Sequence, residues 1–134
     1  MIALDSSVVV ASFGAWHEHH ELARSVLSEC PRLPAHTALE AYSVLTRLPD
    51  PFRAEPATVA EFLKQTFTTP RLVLSDDEHS GFTGRLADLG IAGGAVYDAL
   101  IAFTAEAAGA ELLTLDRRAM VTYQRCRTPA RLLV

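Results

Sequence analysis

Cysteine is scarce in this chain, and the two present, Cys30 and Cys126, have neither zinc-site nor redox-pair spacing. They set no disulfide framework, so a cytosolic protein is the expectation. Lysine is scarcer still. Lys64 stands alone in an amphipathic stretch, so no lysine is placed to do the work of a metal ion. Long hydrophobic runs are missing as well. The most apolar stretch, residues 97–110, is short and interrupted by Asp98 and Glu106, which excludes a bilayer-spanning helix there. The opening Met1-Ile2-Ala3-Leu4-Asp5 has no basic region and reaches an acid at once, unlike a signal peptide. No internal repeat or low-complexity tract stands out.

What is present suits one globular domain over residues 1–134, since 49% of the residues are apolar and 21% are charged. The net charge of −4 hides an asymmetry. Residues 117–134 carry five arginines and no acid, while residues 1–116 set seven bases against all sixteen acids, a balance of −9. A basic tail can attract an anionic polymer or an acidic partner, but a solvated run of arginines is the simpler reading of charge alone.

Apolar runs and breakers lay out the elements. Residues 2–4 predict a buried strand, with a helix from Ser6. Helices are predicted over 17–29, 37–47 and 58–67, the second stopped by Pro49 and Pro51. Pro31 and Pro34 bracket a link or short strand, and residues 71–74 read as another strand. Asp76 or Asp77 can cap a helix ending near Gly90. A long apolar helix follows Gly93-Gly94 to about Ala108, closed by Gly109. Residues 111–115 form a strong strand candidate ending before Asp116, then a short helix, then a last strand at 131–134. Strands separated by helices argue for a parallel sheet covered on both faces.

Four acids occupy unusual places. Asp5 and Asp116 each end an apolar strand and precede a helix, the position where open parallel sheets collect ligands. Taken singly, each also suits a helix N-cap. Asp98 lies in Val96-Tyr97-Asp98-Ala99-Leu100-Ile101-Ala102, a helix expected to be largely buried, where an unpaired carboxylate protonates or finds a cation. A first-turn acid favoured by the helix dipole is the alternative. Glu40 closes Thr37-Ala38-Leu39-Glu40, which alone reads as a capping box, yet it shares a helix face with Val44 and Arg47. Acids brought together repel and raise one another's pKa, and a hard divalent cation relieves that repulsion.

The order Asp5, Glu40, Asp98, Asp116 resembles the acidic quartet of the PIN domain. Ile2-Ala3-Leu4-Asp5-Ser6-Ser7 is similar to that family's opening strand. Leu39-Glu40-Ala41-Tyr42-Ser43-Val44-Leu45-Thr46-Arg47-Leu48-Pro49 resembles the Glu-bearing helix of its VapC toxins. Gly93-Gly94-Ala95-Val96-Tyr97-Asp98-Ala99-Leu100-Ile101-Ala102 is similar to their third motif, and Leu112-Leu113-Thr114-Leu115-Asp116 to their last. The likeness spans essentially the whole chain.

The resemblance implies an α/β fold, a three-layer α/β/α PIN-like domain around a short parallel sheet. It implies Mg2+ or Mn2+, endonucleolytic cleavage of RNA, a homodimer and a cognate VapB-type antitoxin. Asp5 and Asp98 would be direct ligands, with Glu40 and Asp116 completing the cluster directly or through water. Thr114, and Ser6 or Ser7, would orient ligands or water. Arg117 and Arg118 follow Asp116 and can reach RNA phosphate or simply face solvent.

Other signals are weaker. His17, His19 and His20 read as an exposed helix start rather than a zinc site, and His36 and His79 are isolated. Haloacid-dehalogenase-type phosphatases want a second Asp two residues after the first, where this chain has Ser7. A phosphoacceptor receiver would want a strand-end lysine, and there is none. A non-catalytic RNA- or protein-binding module on the same fold is the remaining rival.

Overall fold

The computed structural model describes residues Met1–Val134. Three apolar runs pair as parallel strands, β1 (Ile2–Leu4), β2 (Glu111–Thr114) and β3 (Ala130–Leu132), in the order β1-β2-β3. Ala3 lies opposite Leu112, and Leu113 opposite Arg131. On the far side of β1, two parallel bridges extend the sheet, Ala3 with Arg32 and Pro34 with Leu72. The segments at 31–34 and 71–74 therefore do join the sheet, but as single bridges. From β1 the chain adds positions outward on one side, then returns to build β2 and β3 on the other. The reversal falls between β1 and β2, and Asp5 and Asp116 stand just beyond their carboxyl ends, where this topology opens a crevice.

The helices in chain order are α1 (Ser6–Phe13), α2 (His20–Leu27), α3 (Ala35–Thr46), α4 (Pro56–Thr66), α5 (Asp76–Ser80), α6 (Phe82–Leu89), α7 (Ala95–Ala107) and α8 (Arg117–Arg125). Strand alternation sorts them into two layers. Leu4 and Leu113 point into one core with Val8, Val9, Leu45, Val59 and Leu63, from α1, α3 and α4. Ala3 and Leu112 point into the other, with Leu86, Ile101, Phe103 and Tyr123, from α6, α7 and α8. The result is the expected three-layer α/β/α arrangement. No helix is long and apolar enough to cross a membrane.

Several boundaries differ from the sequence expectation. α3 begins at Ala35, because the Ala35 amide is held by Leu72 O at 2.8 Å and the chain enters the helix directly from the bridge at Pro34. Thr37 is thus inside the helix and fully buried, its hydroxyl unpartnered, and the Thr37–Glu40 capping box does not form. α2 begins at His20 rather than His17. Ser75, not Asp76 or Asp77, caps α5, with Glu78 reaching back to complete a capping box. The expected helix to Gly90 breaks at Gly81 into α5 and α6, and Gly90 takes the left-handed conformation at its end.

Candidate active site

Asp5 is 2% exposed, and its carboxylate is already well supplied with donors. Oδ1 accepts from the Ser7 amide at 3.0 Å, the Ser7 hydroxyl at 2.5 Å and the Val8 amide at 3.4 Å, which caps α1. Oδ2 accepts from the Tyr123 hydroxyl at 2.8 Å. Burial raises the pKa of Asp5, and the hydrogen bonds from Ser7, Thr114, Tyr123 and Val8 act against that rise. Tyr123 is itself fully buried, and its pKa is raised by burial first and then by Asp5.

Asp116 caps α8, accepting from the amides of Arg118 at 2.8 Å and Ala119 at 3.2 Å, and remains exposed. Its own amide donates to Thr114 Oγ1 at 2.9 Å, and Thr114 Oγ1 lies 3.4 Å from Ser7 Oγ. The Ser7 hydroxyl proton goes to Asp5, and the single Thr114 hydroxyl proton lies within reach of both Ser7 Oγ and Asp5. Ser7 Oγ also accepts from the Leu115 amide at 2.9 Å. One hydroxyl oxygen therefore ties the end of β1 to the end of β2.

Glu40 projects from α3 and accepts a hydrogen bond from the Ser6 hydroxyl at the start of α1. His36 Nε2 lies 3.5 Å from its other oxygen, and the His36 ring stacks on Tyr97 at 5.3 Å. Asp98, one residue further along α7, is half-buried rather than enclosed. Its pKa is pushed up to about 6, by burial first and then by Glu40, Asp116 and Asp5, with Arg118 acting in the opposite sense. The three other acids thus stand close enough to Asp98 for their charges to be felt.

The donor set suits a hard cation, being carboxylate oxygen throughout. No three His, Cys, Asp or Glu side chains group tightly enough to grip an ion on their own. Magnesium, which keeps several waters and uses one or two carboxylates, fits this looser arrangement better than a cage-bound ion.

Two grooves meet at Glu40 and Val44. One, about 630 Å3, is lined by Ser6, Ser7, His17, His19, Asp116 and Arg117 among others. The other, about 420 Å3, is lined by His36, Leu39, Ser43, Arg47 and Tyr97. A larger hollow of about 910 Å3 between α1, α2 and α4 holds none of the four acids. Arg117 lines the first groove and donates to Val134 O at 3.1 Å. Sequence reasoning missed Tyr123, His36 and His17. For Tyr123 a signal existed, since a tyrosine on the buried face of a helix needs a partner for its hydroxyl.

The chain belongs to the PIN-domain family, which matches residues 2–123. Within it, the likeness to VapC proteins runs the full length. Ribonuclease VapC40 of Mycobacterium tuberculosis is 49% identical over 133 residues, covering 99% of both chains. Ribonuclease VapC27 of Mycobacterium tuberculosis H37Rv is 39% identical, covering 92% of this chain and 90% of that protein. The family resemblance drawn from the four acids is borne out.

Proposed function

We propose that this chain is a divalent-metal-dependent endoribonuclease and the toxin of a VapBC-type pair, with Asp5, Glu40, Asp98 and Asp116 as its acidic machinery. The observation that carries the reading is the placement of Asp5 and Asp116 just beyond the carboxyl ends of β1 and β2, linked through Ser7 and Thr114, with Asp98 close enough to feel both charges and that of Glu40. Glu40 and Asp116 line the groove of about 630 Å3, and carboxylates whose charges act on one another suit a cation better than they suit packing. The full-length likeness to proteins named ribonucleases supports RNA as the substrate.

A bound Mg2+ or Mn2+ ion supplies positive charge, which lowers the pKa of water and balances charge building on the phosphoryl oxygens. The chain's own part is placement. Asp5 is held in one orientation by Ser7, Val8 and Tyr123. Ser6 orients Glu40, and Thr114 and Ser7 fix the spacing of Asp116 and Asp5. Asp98 has no hydrogen-bond donor of its own, and the charges of Glu40, Asp116 and Asp5 raise its pKa further, so a cation would relieve it. Arg117 and Arg118 flank this cluster and suit contact with RNA phosphate. No lysine or serine nucleophile is required.

In this reading the protein works in the cytoplasm, pairs with a second copy of itself and is held silent by a VapB-type antitoxin. Incubating RNA with the purified chain and Mg2+ or Mn2+ tests the activity. Cleavage is expected, stopped by chelation and absent in Asp98→Asn. Equal cleavage by the chelated protein or by Asp98→Asn refutes the metal-and-acid reading, whereas no cleavage with either metal leaves a non-catalytic binding module. Induction in cells with and without the cognate antitoxin tests the toxin role.

A further inference from the structure

The loop between α1 and α2 carries His17, which the groove beside Asp116 and Glu40 includes in its wall. This loop is pinned. Gly14 lies under the Trp16 indole so closely that a Cβ there would sit 2.6 Å from Cε2. Trp16 packs on Phe52 at 5.2 Å and on the His17 ring at 5.7 Å. The His17 amide is tied to Gly14 O at 3.0 Å, and the His20 amide to His17 O at 3.1 Å.

The His17 ring is fixed in its tautomer as well as its position. The His19 backbone amide donates to His17 Nδ1 at 3.0 Å. A backbone N–H can only donate, so Nδ1 carries no proton and a neutral ring carries its proton on Nε2. Burial, and then His19, hold the His17 pKa below the ordinary histidine value, which keeps the ring neutral near pH 7.

We propose that His17 is a substrate-binding residue of this groove, presenting Nε2–H to a phosphodiester oxygen of the RNA seated beside Asp116. The inference rests on the ribonuclease reading above. The groove poses a specific problem, because a polyanion must approach a wall that holds Glu18, Glu40 and Asp116. A neutral N–H carries no net charge for those carboxylates to attract over distance, and it still meets a phosphodiester oxygen, an acceptor that brings no proton of its own. Arg117 on the same wall supplies the cationic contact, so the two residues divide the work between direction and charge.

Three variants separate these roles. His17→Phe keeps a ring against Trp16 and removes the donor. His17→Gln keeps a donor near the Nε2 position. Binding of a mixed-sequence single-stranded RNA is measured in chelator, where cleavage is off, across a salt series. His17→Phe is expected to weaken binding on the order of tenfold, and His17→Gln by no more than about threefold. The slope of log affinity against log salt is expected to stay at the wild-type value in His17→Phe and to flatten by about one unit in Arg117→Gln. Wild-type affinity in His17→Phe overturns the proposal, and so does a flattened salt slope in that variant, which would make His17 a cationic contact. Cleavage by the wild type with Mg2+ is scored in parallel. A wild type that binds but does not cut defeats the nuclease reading alone, one that cuts with Mg2+ but does not bind in chelator defeats the His17 proposal alone, and one that does neither defeats both.

Discussion

Asp5 and Asp98 both carry a carboxylate in a poorly solvated place, and the fold treats them differently. Asp5 is enclosed almost completely, yet backbone amides and two hydroxyls point at its oxygens. Asp98 is only half-buried, yet it meets no donor and faces three other acids. The first charge is partly offset by protein dipoles, and burial still holds its pKa above the ordinary value. The second is left unanswered within the chain. A buried acid is therefore a scaffold or a site according to what is aimed at it, and the degree of burial alone does not distinguish the two.

Four experiments press on that contrast. Asp98→Asn is expected to lower RNA cleavage by about a thousandfold without loss of stability, as read by single-turnover kinetics beside a urea titration. Asp5→Ala is expected to cost about 3 kcal/mol of stability, since it removes the α1 cap and strands the buried Tyr123 hydroxyl. If Asp5→Ala unfolds at the same urea concentration as Asp98→Asn, the contrast between scaffold and site is gone. Tyr123→Phe isolates one arm of the scaffold, and a loss of about 1 kcal/mol in the same titration is expected.

The smallest effect concerns pH. The raised pKa of Asp98 means that the folded chain holds a proton the unfolded chain has released between pH 4 and 6. Metal-free stability should therefore fall as pH rises through that window. Below it both states are protonated and Asp98 has no effect; above it the repulsion is fully present. Asp98→Asn should match the wild type near pH 4 and exceed it by about 1 kcal/mol at pH 8 in chelator, a figure kept low because the group is partly solvated. Added Mg2+ should narrow that gap. A difference that is independent of pH would place the repulsion elsewhere.

Local chemistry was readable in the chain, and long-range chemistry was not. The apolar runs ending at Asp5 and Asp116 announced strands, and the alternation of Leu4 with Ala3 and of Leu113 with Leu112 was enough to cover both faces of a sheet. Asp98 was marked by its apolar neighbours, although the helix exposes more of it than those neighbours suggested. The capping box at Thr37 failed because a bridge to Leu72, 35 residues later, starts the helix one turn early. Tyr123 could not be assigned to Asp5, 118 residues away, since that pairing exists only once α8 packs back over the sheet. The histidines were read as the first turn of a helix. The helix starts at His20, and the freed turn places His17 in the groove.

The hydrogen bonds at Asp5 also limit its denticity. Three donors already occupy Oδ1, so Oδ2, to which Tyr123 donates, is the oxygen that would be left to hold a cation. A large ion that favours carboxylates chelating through both oxygens, as calcium does, finds half of that grip already taken, whereas the smaller octahedral magnesium ion asks for a single oxygen. In the proposed metal-dependent reading, the cap that starts the first helix would leave a single Asp5 oxygen for an ion.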